Sequence, residues 1–304
     1  MNGNQYRAGL FALAWALAAP LQAAKKKTVH RAAPVSAPVV KADAWLGVFD
    51  DGVLTPLGCM VGGGWLNPWS SQQSPSSAPG GEVREMPLKK LPAEWIGACG
   101  ELPKEWGILV AEGTTQPVAV IGLRKPALKH DEENLWGLKV TPAPSARGLL
   151  FAASGGAVLH LFQKPDHDDR KAVEAMFDHA DAGENSRYEF GAREPVLAAG
   201  PLHDGSRYAV YRRKLRAESG TAGSMFIGWA MLNGPQTHAI AGHAEAQDPD
   251  NPAKISYDAL ADCFGQTVAI TRATRKDAVL YRLYLLGDTD FREILEIPYA
   301  LHEQ

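Results

Sequence analysis

The feature that most restricts the fold of this chain is a series of short apolar segments that alternate with a period of two. The segment SMFIGWAML places Met225, Ile227 and Trp229 on one side of an extended chain. The segment AVLYRLYLL, residues 278–286, alternates in the same way. Turn signals made of Asp, Asn, Gly and Pro separate such segments. This pattern predicts a mainly β fold with antiparallel sheets, arranged as a sandwich or a barrel.

One segment changes to a helical period. In KPDHDDRKAVEAMF, Val173, Met176 and Phe177 recur at helical spacing, and acidic residues precede them where the helix dipole favours negative charge. The sequence therefore predicts one short helix, from about Asp168 to His179. Just before it, GLLFAASGGAVLHLF is apolar on both sides of Ser-Gly-Gly, which predicts a buried hairpin.

Four regions follow from the distribution of apolar and proline-rich segments. The stretch TPAPSARG, residues 141–148, is the clearest internal boundary, because its prolines and small residues interrupt any periodic element. This stretch separates either two β-rich subdomains or two sheets of one domain, and the sequence leaves both open. The predicted regions are a signal peptide at 1–23, an Ala/Pro/Lys-rich linker at 24–44, a small tryptophan-rich β domain at 45–140 and a larger antiparallel β domain with the helix at 149–304.

The N-terminal region predicts export. An apolar run of about a dozen residues, too short for the ~20 that span a bilayer, ends at a cleavage signal formed by Leu21 and Ala23. Three lysines at 25–27 oppose translocation, since positive flanks favour the cytoplasmic side. The cleavage signal outweighs them in our interpretation. We expect a periplasmic or secreted protein with no transmembrane segment in the mature chain.

Cysteine usage is consistent with an oxidising compartment, where disulfides persist. The chain has three cysteines, so at most one internal bridge forms and one thiol is left over. Cys59 and Cys99 share the tryptophan-rich region and are the favoured pair. Cys263 then stays free or pairs between chains.

The sequence contains no recognisable motif of catalysis or of metal binding. No G-x-S-x-G elbow is present, and the glycine runs VGGGW and GTAGS lack the Gly-Lys-Ser/Thr ending and the helix of a phosphate loop. His238 and His243 stand five apart in a predicted strand, on opposite faces unless a bulge intervenes. We therefore expect no metal and no cofactor.

Charge argues against a nucleic-acid partner. The formal net charge is -3 and the sequence pI is about 6.3, so no basic excess is available for phosphate backbones. The expected partner is a protein, a peptide or a glycan.

Tryptophans provide the candidate binding residues. A tryptophan fills a thin core or stacks at the surface on a sugar ring or a peptide side chain, and the sequence leaves both uses open. Trp65 and Trp69 lie in the glycine-rich stretch FDDGVLTPLGCMVGGGWLNPW. Trp95 and Trp106 each end a Leu-Pro-x-Glu-Trp phrase. These four are the predicted ligand-binding residues.

The leading hypothesis is an exported β-rich protein that binds a ligand or partner without catalysis. One alternative is a secreted hydrolase with scattered catalytic residues, which requires a histidine and a carboxylate hydrogen-bonded in a deep pocket. Another is a structural component that assembles with a second envelope protein.

Overall fold

A computed structural model describes residues 41–68, 85–90, 99–124, 137–178, 188–217, 224–233, 237–248, 250–276 and 278–301. The predicted signal peptide and most of the predicted linker lie outside these residues. The described part belongs to one compact unit, Val39–Gln304.

The described residues form eighteen strands and one α-helix, together with a short 3-10 turn at Leu88–Lys90. In chain order the elements are β1 (Ala44–Asp50), β2 (Val53–Val61), β3 (Gly64–Leu66), β4 (Glu85–Met86), β5 (Glu105–Ala111), β6 (Thr114–Arg124), β7 (Gly137–Thr141), β8 (Leu150–Ser154), β9 (Val158–Leu161), α1 (His167–Asp178), β10 (Tyr188–Arg193), β11 (Leu197–Ala199), β12 (Arg207–Ala217), β13 (Ser224–Leu232), β14 (His238–Ala246), β15 (Lys254–Cys263), β16 (Gln266–Thr274), β17 (Ala278–Leu286) and β18 (Phe291–Leu301).

Six strands close into an antiparallel barrel. Their order around the barrel is β1, β2, β7, β6, β5 and β8, and β8 pairs back onto β1. β3 pairs with β2, and β4 pairs with β6, both in the antiparallel direction. Since β8 follows the proline-rich stretch at 141–148, the barrel draws one strand from beyond the boundary that the sequence suggested.

Aromatic side chains fill the barrel. Trp45 and Trp106 meet edge to face there, with ring centres 6.2 Å apart. β1 is buried on both of its faces, because Trp45 and Phe49 point into the barrel while Leu46 and Val48 point toward a second sheet. A strand buried on both sides reads as a continuous apolar run in the sequence.

Two more antiparallel sheets continue the layers. The inner sheet has the order β9, β15, β16, β17, β18, and the outer sheet has the order β10, β12, β13, β14, with β11 beside β12. The barrel wall packs on one face of the inner sheet and the outer sheet packs on the other. Helix α1 covers the far face of the outer sheet.

The period-two patterns correspond to these layers. On β13, Ile227 and Trp229 face the inner sheet, while Phe226 and Ala230 face α1. β17 alternates between the barrel and the outer sheet in the same manner. The prediction of a mainly β fold with antiparallel sheets and one short helix is confirmed.

Helix α1 occupies almost the predicted range. The carboxylate of Asp166 accepts a hydrogen bond from the Asp169 amide at 2.8 Å, which caps the first turn. Val173 and Phe177 are the buried residues of the helix. Phe177 lies over Gly228 of β13, where a Cβ atom would stand 2.7 Å from the ring. The absence of a side chain at Gly228 therefore allows the helix to lie close to the sheet.

The segment around Ser-Gly-Gly does not form the predicted hairpin. β8 pairs with β1 and β5 in the barrel, whereas β9 pairs with β15 in the inner sheet. The chain crosses between them at Gly155 and Gly156, both at positive φ. A Cβ on Gly155 would lie 2.2 Å from the Asp43 carbonyl oxygen. Both strands are apolar because each lies in a core, but apolarity does not identify which core.

Candidate functional site

Residues 53–66 of the glycine- and tryptophan-rich stretch form the hairpin of β2 and β3. Trp65 Nε1 donates a hydrogen bond to the side-chain oxygen of Gln266 at 2.9 Å, and Gln266 Nε2 donates to the Gly63 carbonyl at 2.9 Å. Gln266 begins β16, so these bonds tie the barrel hairpin to the inner sheet. The Trp65 ring also packs against the core between barrel and inner sheet. Trp65 therefore serves as a structural contact.

Of the other predicted tryptophans, none among the described residues has an exposed ring face that could stack on a ligand. Trp106 is 2% exposed, and its Nε1 donates to the Pro103 carbonyl at 3.3 Å. Its ring belongs to the barrel core and presents no face to a ligand. Trp69 and Trp95 lie outside the residues that the structure describes.

Cys59 and Cys99 are joined by a disulfide in the barrel core, with Cα atoms 6.1 Å apart. Cys263 is free and buried. Burial raises the pKa of its thiol to about 12, so the reactive thiolate is scarce near neutral pH.

One described histidine, His203, is hydrogen-bonded to the carboxylate of Asp262. His203 Nδ1 lies 2.6 Å from Asp262 Oδ2, and this hydrogen bond raises the pKa of His203. The His203 side chain is 69% exposed, and no described hydroxyl or thiol hydrogen-bonds to its other ring nitrogen. The pair supplies only part of the arrangement that the hydrolase alternative requires.

Two further histidines share a face that strict alternation would not give them. A register shift in β14 places His238 and His243 on the same side of the strand. They still serve different contacts: His238 Nε2 lies 3.1 Å from the Asp288 carbonyl oxygen, and the His243 ring lies 4.9 Å from Phe291. Within the described ranges, no group of three or more His, Cys, Asp or Glu residues is arranged to hold a metal ion.

A cleft of about 940 Å³ opens between the outer and inner sheets. Small-molecule sites typically enclose roughly 300–1,000 Å³, with apolar walls and a few polar groups. Strands β10 to β13, strand β15 and the loop that precedes β15 form its walls. The lining residues are Ala192, Glu194, Leu197, Arg212, Lys214, Leu215, Ser224, Met225, Gln247, Asp248, Pro252, Ala253, Lys254, Ile255, Ser256 and Tyr257.

The cleft begins where the apolar core between the two sheets ends. On β12, Tyr208 and Val210 fill that core, and Arg212 and Lys214 follow on the same face. On the opposite sheet, Tyr257 is buried and contributes to the core. Charged side chains thus replace apolar ones along one strand face, and the space between the sheets is open to solvent.

Arg212 is the central polar group of the cleft. Its side chain is 11% exposed and its Nη1 lies 3.0 Å from Glu194 Oε2. The same Nη1 donates to the Ile255 carbonyl at 2.8 Å. The guanidinium carbon stands 5.0 Å from the centre of the Tyr257 ring. Nε is buried and has no hydrogen-bond partner among the residues that the structure describes, although buried polar groups are generally paired.

Tyr257 supplies an aromatic floor beneath Arg212. Its ring meets Trp229 edge to face at 5.4 Å between centres and Phe162 at 6.3 Å. Burial raises the pKa of Tyr257, so its phenol is neutral. The Arg212 guanidinium therefore lies over the face of an uncharged aromatic ring, and both side chains line the cleft.

Arg212 was not predicted as a site residue, although the sequence contains a signal for it. Positions two apart in a strand share a face, so the apolar positions Tyr208 and Val210 indicate that Arg212 also faces inward. An arginine on an inward face is uncommon unless it has partners. The identity of the facing strand, β15, has no local signal.

The described residues include no helix that is both long and apolar enough to cross a membrane. In comparisons with family models, with curated proteins and with solved structures, the chain has no match.

Proposed function

We propose that the protein is an exported, non-catalytic binding protein that holds a small amphipathic molecule between its outer and inner sheets. The observation that carries this proposal is the cleft of about 940 Å³ itself. Its walls combine apolar side chains with a few polar groups, which is the usual composition of a ligand site. We thus propose the cleft, and not the four predicted tryptophans, as the ligand site.

The export part of the proposal is supported by two observations. The first is the sequence of residues 1–23, with its short apolar run and cleavage signal. The second is the Cys59–Cys99 disulfide, since such bonds persist mainly in oxidising compartments. Mass spectrometry of the mature protein tests the proposal, because cleavage after Ala23 leaves a chain that begins at Ala24.

A hydrolase is the second candidate, and the His203–Asp262 pair is the observation that favours it. A carboxylate-oriented histidine acts as a general base when a nucleophile lies within its reach. No such hydroxyl or thiol is bonded to His203 in the described part of the chain. The His203–Asp262 pair therefore supports a hydrolase less well than the cleft supports a binding protein.

A fluorescence titration tests the binding proposal. N-phenyl-1-naphthylamine is a neutral apolar probe whose emission rises in an apolar site, and we expect saturable binding to the wild-type protein. Ala192→Trp and Met225→Trp each place an indole in the cleft, at an exposed and a partly buried lining residue respectively. Each should weaken probe binding by about tenfold or more, because the added ring occupies the site.

Matched controls locate the effect. Ala119→Trp makes the same chemical change at an exposed position of β6 in the barrel. Trp65→Phe removes the N–H that bonds Gln266 and leaves the cleft untouched. Both variants should bind the probe as the wild type does. Probe binding that survives both cleft variants, or that is lost in Trp65→Phe alone, contradicts the proposal.

A further inference from the structure

The donors of Arg212 indicate what kind of ligand group the cleft accepts. A guanidinium carries five N–H donors, no acceptor and a permanent charge. The contacts of Arg212 with Ile255 and Glu194 both use Nη1. Nε has no partner among the described residues, and neither contact involves Nη2. Among the described residues, no carboxylate therefore contacts Nε or Nη2, and a guanidinium can bind a carboxylate through two parallel hydrogen bonds. Nε is itself buried, so the donor left for a ligand group is Nη2.

The charge of the cleft lining also favours an anion. Among the described residues, the cationic lining residues are Arg212, Lys214 and Lys254. The described carboxylates of the lining are Glu194 and Asp248, which leaves these residues with an excess of one positive charge. Glu194 is the competitor for Arg212, since its Oε2 lies 3.0 Å from Nη1. Its contact is with Nη1, so a carboxylate that binds at Nη2 need not displace it.

The remainder of the lining determines the body of the ligand. An inorganic anion would use only the charged end of the cleft and leave its apolar walls in contact with water. A ligand with an apolar body buries those walls, which is the larger favourable contribution. The larger apolar lining residues include Leu197, Leu215, Met225 and Ile255.

We propose that the cleft binds an organic carboxylate with an apolar body, whose carboxylate pairs with the guanidinium of Arg212. This inference rests on the proposed function, because it concerns the same cleft. Arginine suits the role better than lysine would, since its planar fork matches the two carboxylate oxygens. Arg212 is thus the residue that determines specificity for an acid over a neutral molecule.

Displacement of the fluorescent probe by decanoate and by decanol tests the inference. The two competitors have the same chain length and differ in the head group. Decanol is the more apolar, so a site that recognises only apolar surface prefers decanol. We expect decanoate to displace the probe from the wild-type protein at a roughly tenfold or more lower concentration, because charge-assisted hydrogen bonds discriminate by at least that factor.

Two variants assign the preference to Arg212. Arg212→Met keeps an apolar stem and removes the guanidinium, so decanoate should lose its advantage while the probe still binds. Lys171→Met is the matched control, because it removes one positive charge at an exposed position of α1, outside the cleft lining. The control should retain most of the preference for decanoate. Circular dichroism monitors the fold of both variants. If Arg212→Met fails to fold, the comparison of decanoate with decanol on the wild-type protein still tests the inference.

The possible failures are distinguishable. If decanol displaces the probe from the wild type as well as decanoate does, the carboxylate inference is wrong and the binding function stands. The same conclusion follows if a folded Arg212→Met variant keeps the preference or if Lys171→Met abolishes it. If the probe does not bind the wild type, or if the cleft-filling tryptophans have no effect on its binding, the proposed function itself fails.

Discussion

His243 is a half-buried histidine on the side of β14 that faces Phe291. Its Nδ1 is buried and has no hydrogen-bond partner within the described part of the chain. Desolvation lowers the pKa of His243 from its usual value of 6.5, and the negative charge of Glu245 opposes this shift only in part. The imidazole is therefore neutral in the folded protein at a pH where the same residue in the unfolded chain already binds a proton.

This difference predicts a loss of stability on the acid side. As pH falls below about 6.5, the unfolded state binds more protons at His243 than the folded state does, so the free energy of unfolding decreases. His203 has the opposite sign: its raised pKa gives stability that is present below 6.5 and is lost as pH rises through the folded-state value. Urea unfolding near pH 5.5 and near pH 7.5 measures the difference in stability.

The variant His243→Leu isolates the contribution of this residue. It keeps an apolar side chain against Phe291 and removes the titrating group, so the acid-side loss should be smaller than in the wild type. The comparison variant His203→Leu removes the group of opposite sign, so its acid-side loss should be larger than in the wild type. Equal pH dependence in His243→Leu and wild type would show that His243 is not responsible.

At the scale of elements, the close seating of α1 on the outer sheet depends on a position without a side chain. The Phe177 ring lies where a Cβ on Gly228 would stand, at 2.7 to 2.8 Å. Gly228→Ala should therefore reduce the free energy of unfolding by about 1–3 kcal/mol, as overpacking of a core does. Thermal and chemical unfolding measure this change.

A double-mutant cycle checks the cause. If the ring of Phe177 creates the clash, Gly228→Ala should cost less in a Phe177→Leu background than in the wild type. Gly64→Ala is the matched control, since its nearest neighbour, a carbonyl oxygen of Val61, lies 3.6 Å from the added Cβ. We expect this control to stay within about 0.5 kcal/mol of the wild type. Additive effects at Gly228 and Phe177 would contradict the packing account.

The elements themselves follow from local patterns far better than their pairing does. Asp168, Asp169 and the spacing of Val173 and Phe177 were sufficient to predict α1, because cap, dipole and helical face all lie within one short segment. The strands on either side of Gly155 were predicted as strands but paired wrongly. A hairpin would have paired these two strands with each other through the shortest connection. Instead, β8 pairs with β1 and closes the barrel, and β9 pairs with β15 in the inner sheet.

At the scale of the whole molecule, the Cys59–Cys99 disulfide closes a loop with a sequence separation of 40 residues. In the chain-entropy model, a loop of that length stabilises the folded state by about 4 kcal/mol. Reduction should therefore lower the midpoint of guanidinium unfolding substantially. The double variant Cys59→Ala/Cys99→Ala should unfold at a similarly low midpoint and be insensitive to reductant.

Cys263 provides the control for this measurement. Cys263→Ala keeps the bridge, so reductant should still lower its midpoint. Thiol titration of the unreduced protein should find one reactive group per unfolded chain and very little in the folded state, because Cys263 is buried and its pKa is raised to about 12. An unfolding midpoint that does not respond to reductant, or three thiols in the unreduced chain, would contradict the bridge.

The sequence by itself determined the class of structure: strands of period two, tight turns and a single helix, since each depends on residues within a few positions of one another. Only the tertiary structure decided what those strands enclose. Trp65 meets Gln266 across 201 residues and so joins two layers. Arg212 lies at the open edge of a core because β15 passes beneath it. Contacts between distant segments depend on how whole faces pack together, and no local window of sequence records that packing.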